Sequence, residues 1–222
     1  LSGDNKTNRS VCESEAEPLG VTMKQEERSQ ETRSRILAAA EQSFAEHGYD
    51  VTSVDNICRA AGVSKGAFYH HFPSKGSVFV ALLNAWLAEL DRQFAAAQTG
   101  SESVPRQVAA MASGVNEIYH VAGTKWNILL EFWAKSKADP EVARSTVEMI
   151  RRYQGFFQQL LDRGVSEGSL RVENSNLAAT LVLSAVLGLL LQGILDPEGQ
   201  DWGALMQRVL SMLMESMSGG RP

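Results

Sequence analysis

Residues 52–72 read TSVDNICRAAGVSKGAFYHHF, two short helical patterns on either side of a glycine turn. Thr52 followed three residues later by Asp55 offers a hydroxyl and a carboxylate that can satisfy two orphan amides reciprocally, so a helix is expected to open there. Ile57 and Ala61 carry its buried face, and Gly62 stops it. Ser64 is then placed to cap a third helix from Lys65 to Phe72, which Pro73 ends. On that helix Phe68 and Phe72 are four apart and share one side, so they are expected to point inward. Lys65, Gly66, Ala67, Tyr69 and His70 are left facing out. A short helix held in this way after a tight turn is how a recognition helix is presented to the major groove of DNA.

Upstream, Ile36, Leu37, Ala40 and Phe44 mark one face of a helix over residues 31–47, with Gly48 as a left-handed cap. Downstream, Val78, Phe79, Leu82, Leu83, Trp86, Leu90 and Phe94 form one stripe of a long fourth helix that begins near Ser74 and should join two domains. The whole chain carries a net charge of -5, which excludes a protein coated in positive charge. Averages hide a local patch, however. No carboxylate stands between Asp55 and Glu89, and that gap holds Arg59, Lys65, Lys75, His70 and His71.

Three-and-four spacing of apolar residues continues through the remainder, and alternating strand-like runs are nearly absent. The fold class is therefore all-α, with about nine helices: an N-terminal three-helix helix-turn-helix unit at residues 24–76 and a C-terminal helical bundle at 77–218. Pro105 suits a first helical position for the fifth helix, Trp126 to Trp133 trace the sixth, and Asp139-Pro140-Glu141 starts a long seventh. Asn174 to Leu195 has no charged residue and is long enough to cross a bilayer. Thr180, Ser184 and Gln192 interrupt it and no Lys or Arg cluster flanks it, so it reads as a helix buried on nearly all sides. Residues 1–23, rich in Ser, Asn and Glu, read as a disordered tail, with Met23 as a natural start.

Other chemistries find little support. Gly-x-Ser-x-Gly occurs at residues 62–66 and 164–168, but the nucleophile elbow needs a strand feeding a sharp turn, and each match here follows a helix. His47, His70, His71 and His120 show no metal-ligand spacing, so no metal, cofactor or catalytic residue is assigned. Cys12 and Cys58 are no staple set. A cytoplasmic protein without a structural disulfide is expected, with Cys58 as a small core residue.

The run from Thr32-Arg33 through Ile36, Ala40, Phe44, Gly48-Tyr49, Thr52-Ser53-Val54, Ile57, Ala60 to Gly66, Phe68 to Phe72 and Ser74-Lys75 resembles the DNA-binding domain of TetR/AcrR-type transcriptional regulators. This resemblance covers about fifty residues; beyond them only the helical layout matches. It implies contacts to the duplex backbone from Thr52, Tyr69 and Lys75, beside those that geometry expects of Ser64, Lys65, Gly66, Ala67 and His70 and those added by Arg33 and Arg28. A pocket between bundle helices is also implied, with Trp86, Asn116, Tyr119, Trp126, Trp133, Met149, Tyr153 and Phe156 as candidate effector contacts and Gln154 as a further polar handle. Thr180, Ser184, Gly188 and Gln192 make a small-residue stripe which, with Leu205, Val209 and Met212 of the ninth helix, is expected to form a two-fold four-helix dimer interface. The expected function is a ligand-responsive regulator: a homodimeric repressor released from a palindromic DNA operator by a small, largely apolar effector. An activator of the same fold stays open, as does, from another class, a helical enzyme or adaptor.

Overall fold

The computed structural model describes residues 19–98, 103–122 and 125–219, with side chains described from residue 25 onward except at 114–122 and 125–127. Among these residues the chain is helical throughout: α1 Leu19–His47, α2 Val54–Ala61, α3 Lys65–His71, α4 Lys75–Ala97, α5 Val104–Ala122, α6 Lys125–Lys135, α7 Pro140–Ser166, α8 Ser175–Leu195 and α9 Trp202–Met217. α1 starts earlier than its apolar pattern. It already runs through Leu19 to Met23, which the composition had assigned to the tail.

The first three helices enclose Ile36, Ala40 and Phe44 of α1, Ile57 and Ala61 of α2, and Phe68 and Phe72, all nearly inaccessible to solvent. Local chemistry sets their ends. Gly48 and Gly62 take φ of 81° and 63°, the left-handed region where a side chain is strained. The last carbonyls of α2 are satisfied from outside: the Arg35 guanidinium donates to Ala61 O at 2.5 Å and Gly62 O at 2.9 Å. Ser64 accepts from the Ala67 N–H at 3.1 Å and so caps α3 as expected.

The start of α2 corrects the sequence reading by one residue. Ser53, not Thr52, is the cap, and its hydroxyl accepts from the Asn56 N–H at 3.2 Å. Thr52 is turned inward at 2% exposure, where its hydroxyl donates to Gly48 O at 2.8 Å and Ser43 O at 3.0 Å. The reason is the tight connection after α1, which folds Thr52 back so that its hydroxyl lies over Gly48 O and the Ser43 carbonyl of α1.

α4 leaves this unit through a reciprocal Ser74/Ser77 capping box and runs into the second layer. There α5 lies against α9 and α7 against α8, while α6 touches α1, α7 and α8. Asp139 caps α7 by accepting from Glu141 and Val142 N–H, and Asn174 and Asp201 cap α8 and α9. The Trp202 indole donates to Asp196 O at 2.7 Å, pinning the start of α9 to the end of α8.

Thr52→Val keeps the shape of the buried side chain and deletes the hydroxyl that donates to Gly48 O and Ser43 O, both of which keep a second partner in the Thr52 N–H and in α1. The expected loss is about 0.5–1.5 kcal/mol of unfolding free energy in urea melts, the net worth of one hydrogen bond; an unchanged midpoint would contradict this account of the turn.

Candidate nucleic-acid interface and apolar cavity

α3 has two unlike flanks. Phe68 and Phe72 are 0% and 3% exposed, with ring centroids 6.1 Å apart, and they fix the helix onto α1 and α2. On the other flank Tyr69 is 53% exposed, its ring edge-on to Phe68 at 5.3 Å. Ser64, Lys65, Gly66 and His70 are also exposed, and Ala67 is half-buried. Lys65 Nζ lies 2.7 Å from Asp55 Oδ1, and that hydrogen bond holds the ammonium above its ordinary pKa. Arg33 is exposed beside this surface, its guanidinium 5.2 Å from the Phe72 ring centre, and Arg28 lies exposed farther up α1. His71 is pushed below its ordinary pKa by burial first, then by His70 and Arg33.

Two candidate contacts sit differently from the expectation. The Thr52 hydroxyl is consumed within the fold and is not offered to a duplex. Lys75 is only partly accessible: Nζ donates to Tyr49 O at 2.6 Å and Thr52 O at 2.9 Å, and lies 4.1 Å from the Tyr49 ring centre. Burial is the main cause that lowers its pKa. Two of its three donors therefore hold the connection between α1 and α2 on the first turn of α4, leaving one for an outside partner. Cys58 is a buried thiol pushed upward by burial and then by Asp55, which leaves it protonated and inert.

The same connection is clasped from the other side by α6. The Tyr49 N–H donates to Glu131 Oε2 at 2.7 Å, and Lys135 Nζ reaches Asp50 Oδ2 at 2.5 Å. That pairing is the chief cause that lowers the Asp50 carboxyl. Between these polar contacts the rings of Phe44, Tyr49, Phe79 and Phe132 pack at centroid separations of 4.6 to 5.4 Å. Burial, followed by Asp139, Asp50 and Glu141, pushes the Tyr49 phenol up to about 12. Sequence reading missed this junction, because nothing in periodicity links Tyr49 to a carboxylate 82 residues away.

A cavity of about 830 Å³ lies between α1, α4, α6, α7 and α8. Of the candidate effector contacts, Trp86, Trp133, Met149 and Tyr153 line it; the side chains of Asn116, Tyr119 and Trp126 lie outside the described residues. Phe156 is not in the wall but stacks on Phe94 at 5.3 Å, while Gln154 donates to Thr180 Oγ1 at 2.9 Å and so ties α7 to α8. The Tyr153 hydroxyl donates to Asp91 Oδ1 at 3.1 Å, and burial is the main cause that raises its pKa. Leu37 and Ala38 of α1 contribute to the wall, so the cavity touches the first domain directly.

α8 also departs from the sequence reading. It is apolar and long enough to cross a membrane, yet only 33% of its most apolar stretch is buried. Leu177, Leu181, Leu191 and Leu195 are exposed, with Met212 of α9 at 60%. Thr180, Ser184 and Gln192 lie on the open side, while Gly188, Leu205 and Val209 are half-covered. The absence of charge along α8 reflects an apolar face left open, not one sealed within this chain.

Two family models match. One, bacterial regulatory proteins of the tetR family, covers residues 36–82; the other, the C-terminal domain of BetI-type transcriptional repressors, covers residues 122–217. The chain belongs to the TetR family. It is 27% identical to the HTH-type transcriptional regulator UidR of Escherichia coli K12 over 78% of this chain and 85% of that protein. Against the HTH-type transcriptional repressor AcnR of Corynebacterium diphtheriae it is 28% identical over 86% and 93%. In fold it resembles Bacillus subtilis FadR, crystallised with stearoyl-CoA, with a TM-score of 0.72 at 19% identity over 82% of this chain and 98% of that one. As a TetR-family protein the chain is a DNA-binding transcriptional regulator, and α2 and α3 are its helix-turn-helix.

The two flanks of α3 separate in melting experiments. Phe68→Ala empties a sealed site and is expected to cost about 3–5 kcal/mol. Tyr69→Ala removes a solvated ring and is expected to cost less than about 1 kcal/mol. Comparable losses for the two would mean that the helix is rotated from this orientation.

Proposed function

We propose that this TetR-family regulator is a homodimeric repressor, released from a palindromic operator by a small, largely apolar effector. One observation carries the reading. α6 gives Leu129 and Trp133 to the cavity wall and Glu131 and Lys135 to the turn beneath the helix-turn-helix unit. A molecule that favours a different placing of α6 therefore also favours a different placing of the reading head. Operator affinity falls by the effector's differential affinity for the two arrangements.

For the duplex, the reading uses the outward flank of α3: Tyr69 and His70 donating, Lys65 exchanging Asp55 for a phosphate or guanine edge, Gly66 admitting close backbone approach and Ala67 meeting a thymine methyl. Ser64 and Arg33 supply flanking backbone contacts, and Lys75 acts first by fixing the turn. Two such heads read a palindrome when they stand about 34–36 Å apart, which requires a second copy. The open leucines of α8 and Met212 of α9 give that copy an apolar face, around the stripe of Thr180, Ser184, Gly188 and Gln192 and beside Leu205 and Val209. The names of AcnR and of the BetI-type domain support the repressive sign. A regulator of chromosomal operators works in the cytoplasm, and no catalytic role is assigned.

Genomic fragments retained by the protein provide the duplex for titration by fluorescence anisotropy. Tyr69→Ala is expected to weaken specific binding roughly tenfold or more. Lys65→Ala is expected to flatten the dependence of log affinity on log salt by about one. Full affinity in Tyr69→Ala would overturn the assignment of this flank. Leu181→Glu, at an open position on α8, is expected to give a folded monomer in sedimentation and to lose high-affinity operator binding; a persisting dimer would place the interface elsewhere.

A further inference from the structure

α1 serves two sites at once. Ile36, Ala40 and Phe44 are sealed into the core of the helix-turn-helix unit. Ser34, Leu37, Ala38 and Glu41 all line the cavity, and their spacing of three and four sets them along a second stripe of the same helix. The residues next to Ser34 hold the reading head. Arg35 donates to Ala61 O at 2.5 Å and Gly62 O at 2.9 Å, the turn that leads into α3, and the Arg33 guanidinium lies 5.2 Å from the Phe72 ring centre of α3.

An occupant of the cavity meets this stripe. The volume of about 830 Å³ falls within the range of small-molecule sites, roughly 300–1,000 Å³. The other helices give it apolar walls, among them Leu90 of α4, Trp133 of α6 and Leu183 and Leu187 of α8. The middle of the α1 stripe is apolar as well, because Leu37 and Ala38 stand between Ser34 and Glu41. Ala38 is exposed and Leu37 is half-covered, so hydrocarbon laid against them leaves water on binding and gains by it. The α6 route needs one helix to move before the turn responds; contact with α1 needs none.

We propose that the effector is bound in part by the DNA-reading unit itself: the α1 stripe of Ser34, Leu37, Ala38 and Glu41 is a contact surface for the small apolar molecule, and Ala38, whose short side chain leaves room for it, is a specificity-determining position. This rests on the reading of the cavity as the effector site and adds that its occupant bridges the two domains. A molecule that favours a different seat for α1 favours a different seat for Arg35, and with it for the turn between α2 and α3.

The probe is N-phenyl-1-naphthylamine, an uncharged apolar dye that brightens out of water, titrated into the full chain and read from its own emission. Ala38→Trp fills the cavity from α1, and Leu187→Trp fills it from α8. Each is expected to weaken the dye roughly fivefold or more, the lower end of the cost of overpacking a site. Glu46→Trp, at an exposed position of α1 outside the wall, is expected to leave binding unchanged. Ala38 is exposed, so the fold is expected to persist in melts; Ser34→Trp, one turn away on the same stripe, gives a second variant with the same expected loss. Weakening by Leu187→Trp while both α1-stripe variants bind like the unaltered protein would overturn the proposal and leave the cavity reading standing. Equal weakening by Ala38→Trp and Glu46→Trp would overturn it too. No dye binding, or binding that ignores Leu187→Trp, would remove the cavity reading and this inference together.

Discussion

The peptide group of Tyr49 is the point on which the molecule turns. Its N–H donates to Glu131 of α6, its carbonyl accepts from Lys75 of α4, and its ring is packed against Phe44 and Phe79. A chain that leaves a helix and re-enters another within six residues cannot pair all of its own backbone groups, and burial makes unpaired ones expensive. The partners here come from the second domain and from the linker helix. The position of the reading head is consequently set by the two elements that also wall the cavity.

That arrangement explains how separate parts serve one function. The proposed duplex-reading surface is the outward flank of α3, whose orientation is fixed by two buried phenyl rings on the opposite flank. The proposed effector site is the cavity, whose wall includes α1 itself through Leu37 and Ala38. α6 belongs to both, alternating leucine and tryptophan toward the cavity with glutamate and lysine toward the turn. No long wire of residues is needed when a single helix has one face in each site.

Much of this was legible in the sequence because it is local. Helix periods, the Ser64 and Asp139 caps, the Gly48 and Gly62 stops, and the opposed flanks of α3 all follow from spacings of three and four. Thr52 was misread because two adjacent hydroxyls compete for one cap, and the inward carbonyls of Ser43 and Gly48 took the first of them. Gln154 and Phe156 were misplaced for a related reason: they share a helix with Tyr153 and Met149, and periodicity cannot say which side of a wide buried face borders a void. The charge-free stretch of α8 suggested full burial, but composition does not distinguish a face covered by the same chain from one left open. The Glu131 and Lys135 roles depend on partners distant in sequence and leave no local trace.

The central claim is that two copies of α3, held by their phenyl anchors, enter a duplex side by side. Hydroxyl-radical footprinting of the full chain on a genomic fragment that it selects tests this most directly. The account predicts two protected patches related by a dyad, their centres about one duplex turn, roughly 34–36 Å, or a whole multiple of it apart. A single patch without a dyad, or even protection along the whole fragment, would contradict it.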